Sequence, residues 1–173
     1  MHSIAVAPSE FATDHLTAER LRLDHLEELV DMHRDERIMA TLGGPRSTAD
    51  TERFVQTNLE HWRQNRFGLW IIRRSSDGAF VGRAGLRRIH VGDADEVEIA
   101  YVLKSEMWGC GFATEISRKL IIIGSSDLQL TTLVAFTLPD NRASIRVMEK
   151  AGLRFERAIL HRGKPHVLYR INA

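Results

Sequence analysis

The chain has 173 residues, of which 43% are hydrophobic and 27% charged, and its formal net charge at neutral pH is +1. These values predict a single globular domain and argue against a nucleic-acid-binding surface. No apolar run is long enough to span a membrane, and the first residues lack the pattern of a secretory signal, so we expect a cytoplasmic protein. One cysteine, Cys110, excludes an intrachain disulfide. No metal-ligand spacing is present, and we expect no metal.

The first third of the chain predicts one strand and two helices. Residues 1–12 are expected to be a flexible N-terminus that precedes a single domain over residues 13–173. Apolar and polar residues alternate loosely over residues 16–23, which favours a strand, whereas residues 24–39 have apolar side chains at helical spacing. After a glycine turn, Ser47 or Thr48 is expected to begin the second helix.

The remaining elements follow from periodicity and turn residues. We predict strands at residues 68–73, 79–90 and 96–103, followed by a helix at 112–123 and a strand at 131–138. A helix at 141–151 and two strands at 155–160 and 166–171 complete the chain. The fold class is therefore α/β or α+β, with one mixed sheet and helices on both faces.

The segment Trp-Gly-Cys-Gly-Phe-Ala-Thr-Glu, residues 108–115, is the most informative part of the sequence. It links a predicted strand to a predicted helix, and its two glycines free the backbone to approach a ligand. The N–H groups of the following helical turn have no partner inside the helix and lie at the positive end of its dipole. This arrangement suits a phosphate or a pyrophosphate.

Several segments, in order, resemble the GCN5-related N-acetyltransferases (the GNAT superfamily), and within them the branch typified by RimJ and RimL. They are TAERLRL, LGGPRS, FVGRAGL, VEIAYVL, WGCGFATE and DNRASIRVMEKAGL. The resemblance implies a mostly antiparallel sheet of about seven strands flanked by about four helices. It also implies acetyl-coenzyme A as the donor and a primary amine, on a small molecule or a protein N-terminus, as the acceptor. Related folds often pair, so a homodimer is an open alternative.

The resemblance also assigns donor-binding residues. The pyrophosphate is expected at the backbone N–H groups of the loop, and the pantetheine arm is expected along the end of the preceding strand. Asn141 either contacts the pantetheine or simply caps its helix, since Asn is a favoured N-cap residue. Trp108 replaces the Gln or Arg usual in the family and is interpreted as a packing residue. The full set is Tyr101, Val102, Leu103, Gly109, Cys110, Gly111, Phe112, Ala113, Thr114 and Asn141.

Two residues are expected to be catalytic. Glu98 is the candidate general base, with Glu96 or a water relay as alternatives, although alternate glutamates also mark the solvated face of a strand. Ser144, three residues after Asn141, is the candidate group that protonates the departing thiolate. Many relatives use a Tyr at the position of Met148, which cannot donate a proton. Direct transfer in this family argues against a covalent role for Cys110.

Two other functions compete with acetyl transfer. Met148 is consistent with a coenzyme A-binding sensor or interaction module that has lost catalysis. Gly109 and Gly111 also fit part of a dinucleotide-binding fingerprint, but Thr114 stands where its third Gly or Ala belongs. His161 and His166 are candidates for the lining of the acceptor site, whose chemistry the sequence does not reveal.

Overall fold

A computed structural model describes residues 5–173, which form one eight-stranded sheet with helices on both faces. The order of the strands across the sheet is β1-β2-β3-β4-β5-β6-β8-β7, and all neighbours are antiparallel except β5 and β6. The strands are β1 (Glu10–Ala12), β2 (Leu16–Arg20), β3 (Leu69–Arg74), β4 (Phe80–Val91), β5 (Ala94–Leu103), β6 (Thr132–Thr137), β7 (Arg154–His161) and β8 (Lys164–Asn172).

The predicted fold class is confirmed, with one more strand and one more helix than expected. The helices are α1 (Leu26–Arg34), α2 (Glu36–Met39), α3 (Thr48–Asn65), α4 (Phe112–Ile122) and α5 (Arg142–Lys150). The single helix expected over residues 24–39 is two helices, because Asp35 is extended and its side chain accepts hydrogen bonds from the amides of Arg37 and Ile38. The expected start of the next helix is correct: Ser47 and Asp50 form a capping box.

The N-terminal segment is ordered earlier than the sequence predicts. β1 pairs with β2 over three residues, and Ala7 is buried. The indole of Trp70 donates a hydrogen bond to the carbonyl of Pro8 at 3.0 Å, and its ring packs edge-on against Phe11. The sequence predicts a flexible N-terminus over residues 1–12, whereas the structure has a strand at Glu10–Ala12, which is too short to show periodicity. Residues 1–4 lie outside the described part of the chain.

The two faces of the sheet have separate cores, which follow from the alternation of side chains along each strand. The odd-numbered apolar residues of β5 pack with α4 and α5, and the even-numbered Val102 packs with α1 and α2. The first core includes Val97, Ile99, Leu103, Phe112, Ile116, Leu120 and Met148. Glu98 therefore lies on the face of the α1–α3 layer, and Tyr101 lies on the face of α4 and α5.

The middle of the sheet opens between its two parallel strands. β5 pairs with β4 from Leu103 opposite Gly82 to Ala94 opposite Val91. Its other neighbour, β6, is paired with it within residues 5–173 at one register position, Glu98 opposite Val134. Beyond Glu98 the two strands diverge, so residues 101–103 have a strand on one side and a gap on the other.

Candidate functional site

The glycine loop has the backbone conformation that the sequence predicts for an anion site. Gly109 and Gly111 have φ angles of +74° and +79°, in the left-handed region that favours glycine. A Cβ at either position would meet no protein atom within 4 Å, so the glycines are required by backbone conformation and the space above them is open. The first intrahelical bond of α4 runs from Glu115 N to Gly111 O, which leaves the N–H groups of residues 112–114 free to bind an anion.

Trp108 holds this loop against the end of β5. Its indole Nε1 donates to the carbonyl of Leu103 at 3.1 Å, while about half of the side chain stays exposed. This contact supports the interpretation of Trp108 as a packing residue. Cys110 is exposed in the loop, and among the described residues its thiol has one hydrogen-bond partner, the carbonyl of Trp108 at 3.7 Å. No base adjoins it there to activate a nucleophile.

Tyr101 and Ser144 meet across the gap beside β5. The phenol oxygen of Tyr101 lies 3.1 Å from Oγ of Ser144, and both side chains are partly buried. Burial raises the pKa of Tyr101 further above neutral pH, where a tyrosine hydroxyl is already protonated. The sequence assigned Ser144 to this region but assigned Tyr101 only a backbone role. The pair forms because Tyr101, like the other odd-numbered residues of β5, faces α5. The sequence does not reveal this contact, because the two residues are 43 positions apart.

Asn141 is the N-cap of α5. Its Oδ1 accepts from the amide of Ser144 at 3.2 Å, and its Nδ2 donates to Oγ1 of Thr137 at 3.0 Å. This cap fixes Ser144 on the first helical turn, where it reaches Tyr101. Each amide atom of Asn141 retains capacity for one more hydrogen bond, so a contact with the donor stays a prediction. Met148 is buried in the core beneath α5 and has no polar role.

Glu98 is a buried carboxylate on the opposite face of the sheet. Its side chain is 8% exposed, and its Oε2 accepts from Nη2 of Arg87, directly across the β4–β5 ladder, at 2.8 Å. Oε1 accepts no hydrogen bond from residues 5–173 and is the oxygen available to take a proton. The solvated-face interpretation of the two glutamates does not hold for Glu98, because the residue is 6% exposed.

The alternative base, Glu96, is already engaged. Both of its oxygens accept from the guanidinium of Arg170, at 2.7 and 3.0 Å, in a bidentate ion pair. Glu156 binds the same guanidinium, and these two carboxylates raise the pKa of Arg170 further. Glu96 therefore fastens β5 to β8 and is a poorer candidate for proton transfer than Glu98.

Comparison with known proteins identifies the family. A family model described as an acetyltransferase (GNAT) domain matches residues 15–154, most of the chain. The chain belongs to the GNAT acetyltransferases. The resemblance read from the sequence motifs is thereby confirmed, and so is the class of enzyme, an acyltransferase.

One relative and two solved structures match most of this GNAT chain. YkkB, an uncharacterized protein of Bacillus subtilis, is 28% identical over 160 residues, which are 89% of this chain and 93% of YkkB. An acetyltransferase structure from Agrobacterium tumefaciens has a TM-score of 0.83 at 22% identity and covers 100% of this chain and 99% of its own. RimJ of Mycobacterium smegmatis, solved with a coenzyme A disulfide, has a TM-score of 0.79 at 17% identity, with coverage of 95% and 87%. At these identities the structural likeness is one of fold.

A buried polar cluster that the sequence did not reveal lies on the Glu98 face of this GNAT domain. Arg83 of β4 is 4% exposed, and its Nε donates to Nε2 of His33 at 3.2 Å. Because that nitrogen accepts, Nδ1 of His33 bears the hydrogen and donates to Oγ1 of Thr51 at 3.1 Å. All three side chains are buried, so α1, α3 and β4 together fix the position of the Arg83 guanidinium.

An aromatic ring joins a second arginine to this cluster. Phe54 of α3 has the Cζ atoms of Arg83 and Arg46 at 4.4 and 4.9 Å from its ring centre, and the His33 ring packs edge-on against it at 5.0 Å. The predicted acceptor residues lie on this same face: His161 and His166 pack with Phe136 of β6. Burial and the charge of Arg162 lower the pKa of His161, and the charge of Glu98 offsets part of this lowering.

Other features of the described chain lie away from the glycine loop and Glu98. A shallow groove of about 590 Å³ lies on the outer side of α1 and α3, and no predicted site residue borders it. Within residues 5–173 no three His, Cys, Asp or Glu side chains are grouped so that they could hold a metal ion. The helices in the same range are all too short or too polar to cross a membrane.

The titration of His33 gives the first testable prediction. Burial, together with the charges of Arg83 and Arg46, lowers its pKa from 6.5 to about 3. Between these two values the unfolded chain binds a proton that the folded chain does not, so stability is greatest above pH 6.5 and falls toward pH 3. His33→Gln should cost about 1–3 kcal/mol at pH 7 but should lose less stability than wild type between pH 7 and pH 5 in urea unfolding.

His90→Gln is the matched control, because His90 is an exposed histidine paired with Asp95. It should keep most of the wild-type dependence on pH. Identical slopes for wild type and His33→Gln would show that His33 is not held neutral by the fold.

Proposed function

We propose that this protein transfers the acetyl group of acetyl-coenzyme A to a primary amine by direct attack in a ternary complex. The observation that carries the proposal is the arrangement around the gap beyond Glu98. The free edge of β5 and the Tyr101–Ser144 pair face this gap from one side of the sheet, and Glu98 marks its closed end on the other. Donor and acceptor can therefore meet through the sheet, and holding them together supplies much of the acceleration.

The residues present fit the donor. Residues 109–114 offer free N–H groups, an open approach and the positive end of α4 to a pyrophosphate. Residues 101–103 offer the edge of β5 to the amide groups of a pantetheine arm, which can add to the sheet as a further strand does. The carbonyl of Leu103 already accepts from Trp108. The bound coenzyme A disulfide in RimJ, a protein of the same fold, supports this assignment. When bound, the donor supplies the acetyl thioester.

Glu98 is proposed as the general base. An amine with a pKa near 8 to 10 is mostly protonated at neutral pH and must lose a proton before it can attack. Oε1 of Glu98 accepts this proton, directly or through one water, while Arg87 holds Oε2 in place. As the new C–N bond forms and the C–S bond breaks, backbone N–H groups near Tyr101 stabilise the charge on the carbonyl oxygen.

Tyr101 and Ser144 are proposed to return a proton to the departing thiolate. The phenol is protonated at neutral pH, as tyrosine ordinarily is, burial raises its pKa further, and Ser144 is hydrogen-bonded to it. A hydroxyl pair that bridges β5 and α5 can thus take the role of the Tyr that many relatives have at the position of Met148. A thiol with a pKa near 8.5 needs only modest assistance to leave.

A coenzyme A-binding module without catalysis is the second candidate, favoured by Met148 alone. Both candidates bind the donor, and only the enzyme transfers the acetyl group. A free-thiol assay with acetyl-coenzyme A and a panel of amines separates them. Tight binding of coenzyme A without turnover of any amine would favour the module and overturn the proposed enzyme.

Glu98→Gln should separate chemistry from donor binding. Gln keeps the size of the side chain and an acceptor for Arg87 but takes up no proton, so kcat should fall by about 10²–10⁴-fold at neutral pH. The affinity for coenzyme A should be unchanged in calorimetry. Asp95→Asn, which removes an exposed carboxylate from the same strand, should retain the wild-type rate. Wild-type kcat in Glu98→Gln would remove Glu98 from the mechanism.

The hydroxyl pair makes a separate prediction. Tyr101→Phe and Ser144→Ala should each lower kcat by about tenfold or more. Because the two groups act as one relay, the double variant should be little slower than either single variant. The only other tyrosine, Tyr169, provides the matched control: its hydroxyl contacts Glu149 at 3.4 Å, and Tyr169→Phe should leave kcat unchanged. Independent, multiplicative losses from the two substitutions would contradict a shared relay.

A further inference from the structure

The Glu98 face holds more positive charge than its own carboxylates can balance. Arg83 is buried and has no carboxylate partner among residues 5–173; its one hydrogen bond goes to a neutral histidine. Burial and the charges of Arg87 and Arg46 lower the pKa of Arg83, yet a guanidinium remains charged at neutral pH. A buried charge without a counter-ion is costly, and proteins retain one where it has a use.

Arg46 and Arg87 each present an unused donor to the same region. Nη1 of Arg46 and Nε of Arg87 are buried, and neither has a hydrogen-bond partner among the described residues. Buried polar atoms in folded proteins are nearly always hydrogen-bonded, so an orphan donor implies a partner that the chain itself does not supply. The charge of Arg87 lowers the pKa of Arg46, and both charges lower the pKa of Arg83, as expected for three close guanidinium groups.

The strand register places Arg83, Arg87 and Glu98 on one face of the sheet. On this face of β4, Gly85 lies between Arg83 and Arg87, and Ala100 lies across from it on β5. A Cβ at Gly85 would meet the carbonyl oxygen of Gly68 at 2.1 Å, so this glycine is required by a close approach of backbone. Ala100 has a small, partly exposed side chain, and strand positions 83 and 87 on either side of it are about 13 Å apart. The region above Ala100 is the candidate acceptor space, and Glu98, opposite Arg87, borders it.

The β7–β8 turn adds a fourth cation near Arg46. Arg162 lies in this turn, and its charge lowers the pKa of Arg46, whereas the charge of Asp50 raises it. The carboxylates close to these arginines are the buried Glu98, which is already paired with Arg87, and the exposed Asp50, which is paired with Arg53. A neutral or cationic acceptor would leave this excess of charge uncompensated, whereas an anionic group would pair with it.

We infer that the acceptor is a small amine that also bears an acid group, a carboxylate or a phosphate, which Arg83 and Arg46 bind while the amine faces Glu98. This inference rests on the proposed function, since it names the substrate class of the same site. The guanidinium forks bind either kind of oxyanion. His33 and Thr51 position Arg83 and do not touch the acceptor.

Matched pairs of acceptors test the inference. Free amino acids are compared with their carboxamides, and 2-aminoethylphosphonate with ethanolamine, with spermidine as a polycation. In the wild type, kcat/KM should be at least about tenfold higher for the acid-bearing member of a pair, because a charge-assisted hydrogen bond is lost in the other. The two pairs also distinguish a carboxylate from a phosphate. Equal values within both pairs, or a preference for spermidine, would overturn the inference while leaving the proposed function intact.

Substitution of Arg83 tests whether this residue is responsible for the preference for acid-bearing acceptors. In Arg83→Met the ratio between acid and amide should approach one, mainly through a higher KM, and Arg83→Lys should restore part of it. Arg88→Met is the control. Arg88 is an exposed arginine on the same strand. Because it directly follows Arg87, its side chain faces the opposite side of the sheet. Its ratio should equal that of the wild type. An unchanged ratio in Arg83→Met would overturn the assignment.

A binding measurement keeps the inference independent of turnover. With coenzyme A saturating, so that the donor phosphate site is filled, inorganic phosphate should raise the Tm of wild type and of Arg88→Met but not of Arg83→Met. If Arg83→Met does not fold, Arg46→Met replaces it, since Arg46 is in a loop. A Tm that phosphate raises equally in all variants would overturn the inference, and a rise confined to intact Arg83 and Arg46 would support it even if no amine in the panel were acetylated.

Discussion

The parting of β5 from β6 is the structural feature on which the rest of the site depends. One parallel register pair, Glu98 opposite Val134, joins the strands, and beyond it the sheet is open. An open edge inside a sheet leaves backbone N–H and C=O groups without strand partners, a costly arrangement unless a ligand or water satisfies them. The glycine loop starts five residues after that edge ends, which places an anion site and an unpaired strand edge on one short stretch of chain.

In the proposed mechanism, the same parting would give the two substrates separate sides of the sheet. Alternation along β5 directs Tyr101 toward α5 and Glu98 toward the layer of α1 and α3. A donor bound along the edge of β5 would therefore meet hydroxyl groups on one face, and an acceptor would meet a carboxylate and arginines on the other. The proposed acid and the proposed base therefore lie on opposite faces of the sheet.

Local signals in the sequence predicted most of the fold and indicated the residues of the proposed donor site. Helix caps, turn residues and periodicity are short-range properties, so the Ser47 cap, the glycine loop and the Asn141 cap could be found without a structure. The strand β1 was missed because three residues give no period. The break at Asp35 was missed because a single cap residue interrupts an otherwise continuous helical pattern.

The acceptor half could not be predicted, because it depends on contacts between distant segments. His33, Thr51 and Arg83 come from three elements, and nothing in the sequence around each one indicates the other two. Tyr101 and Ser144 are 43 residues apart. Family motifs direct attention to Met148 as a missing acid, whereas the register of β5 shows where another hydroxyl is available.

The most direct test of this account is hydrogen–deuterium exchange of the free protein against its complex with coenzyme A. Ligand binding at the divergence should slow exchange at the amides of residues 101–103 and 109–114, because free N–H groups there gain partners. Amides of β3 and of the outer face of α3 should be unaffected. Protection confined to other segments, with residues 101–103 and 109–114 unchanged while coenzyme A is bound, would contradict the central claim that the parting of β5 from β6 is the donor site.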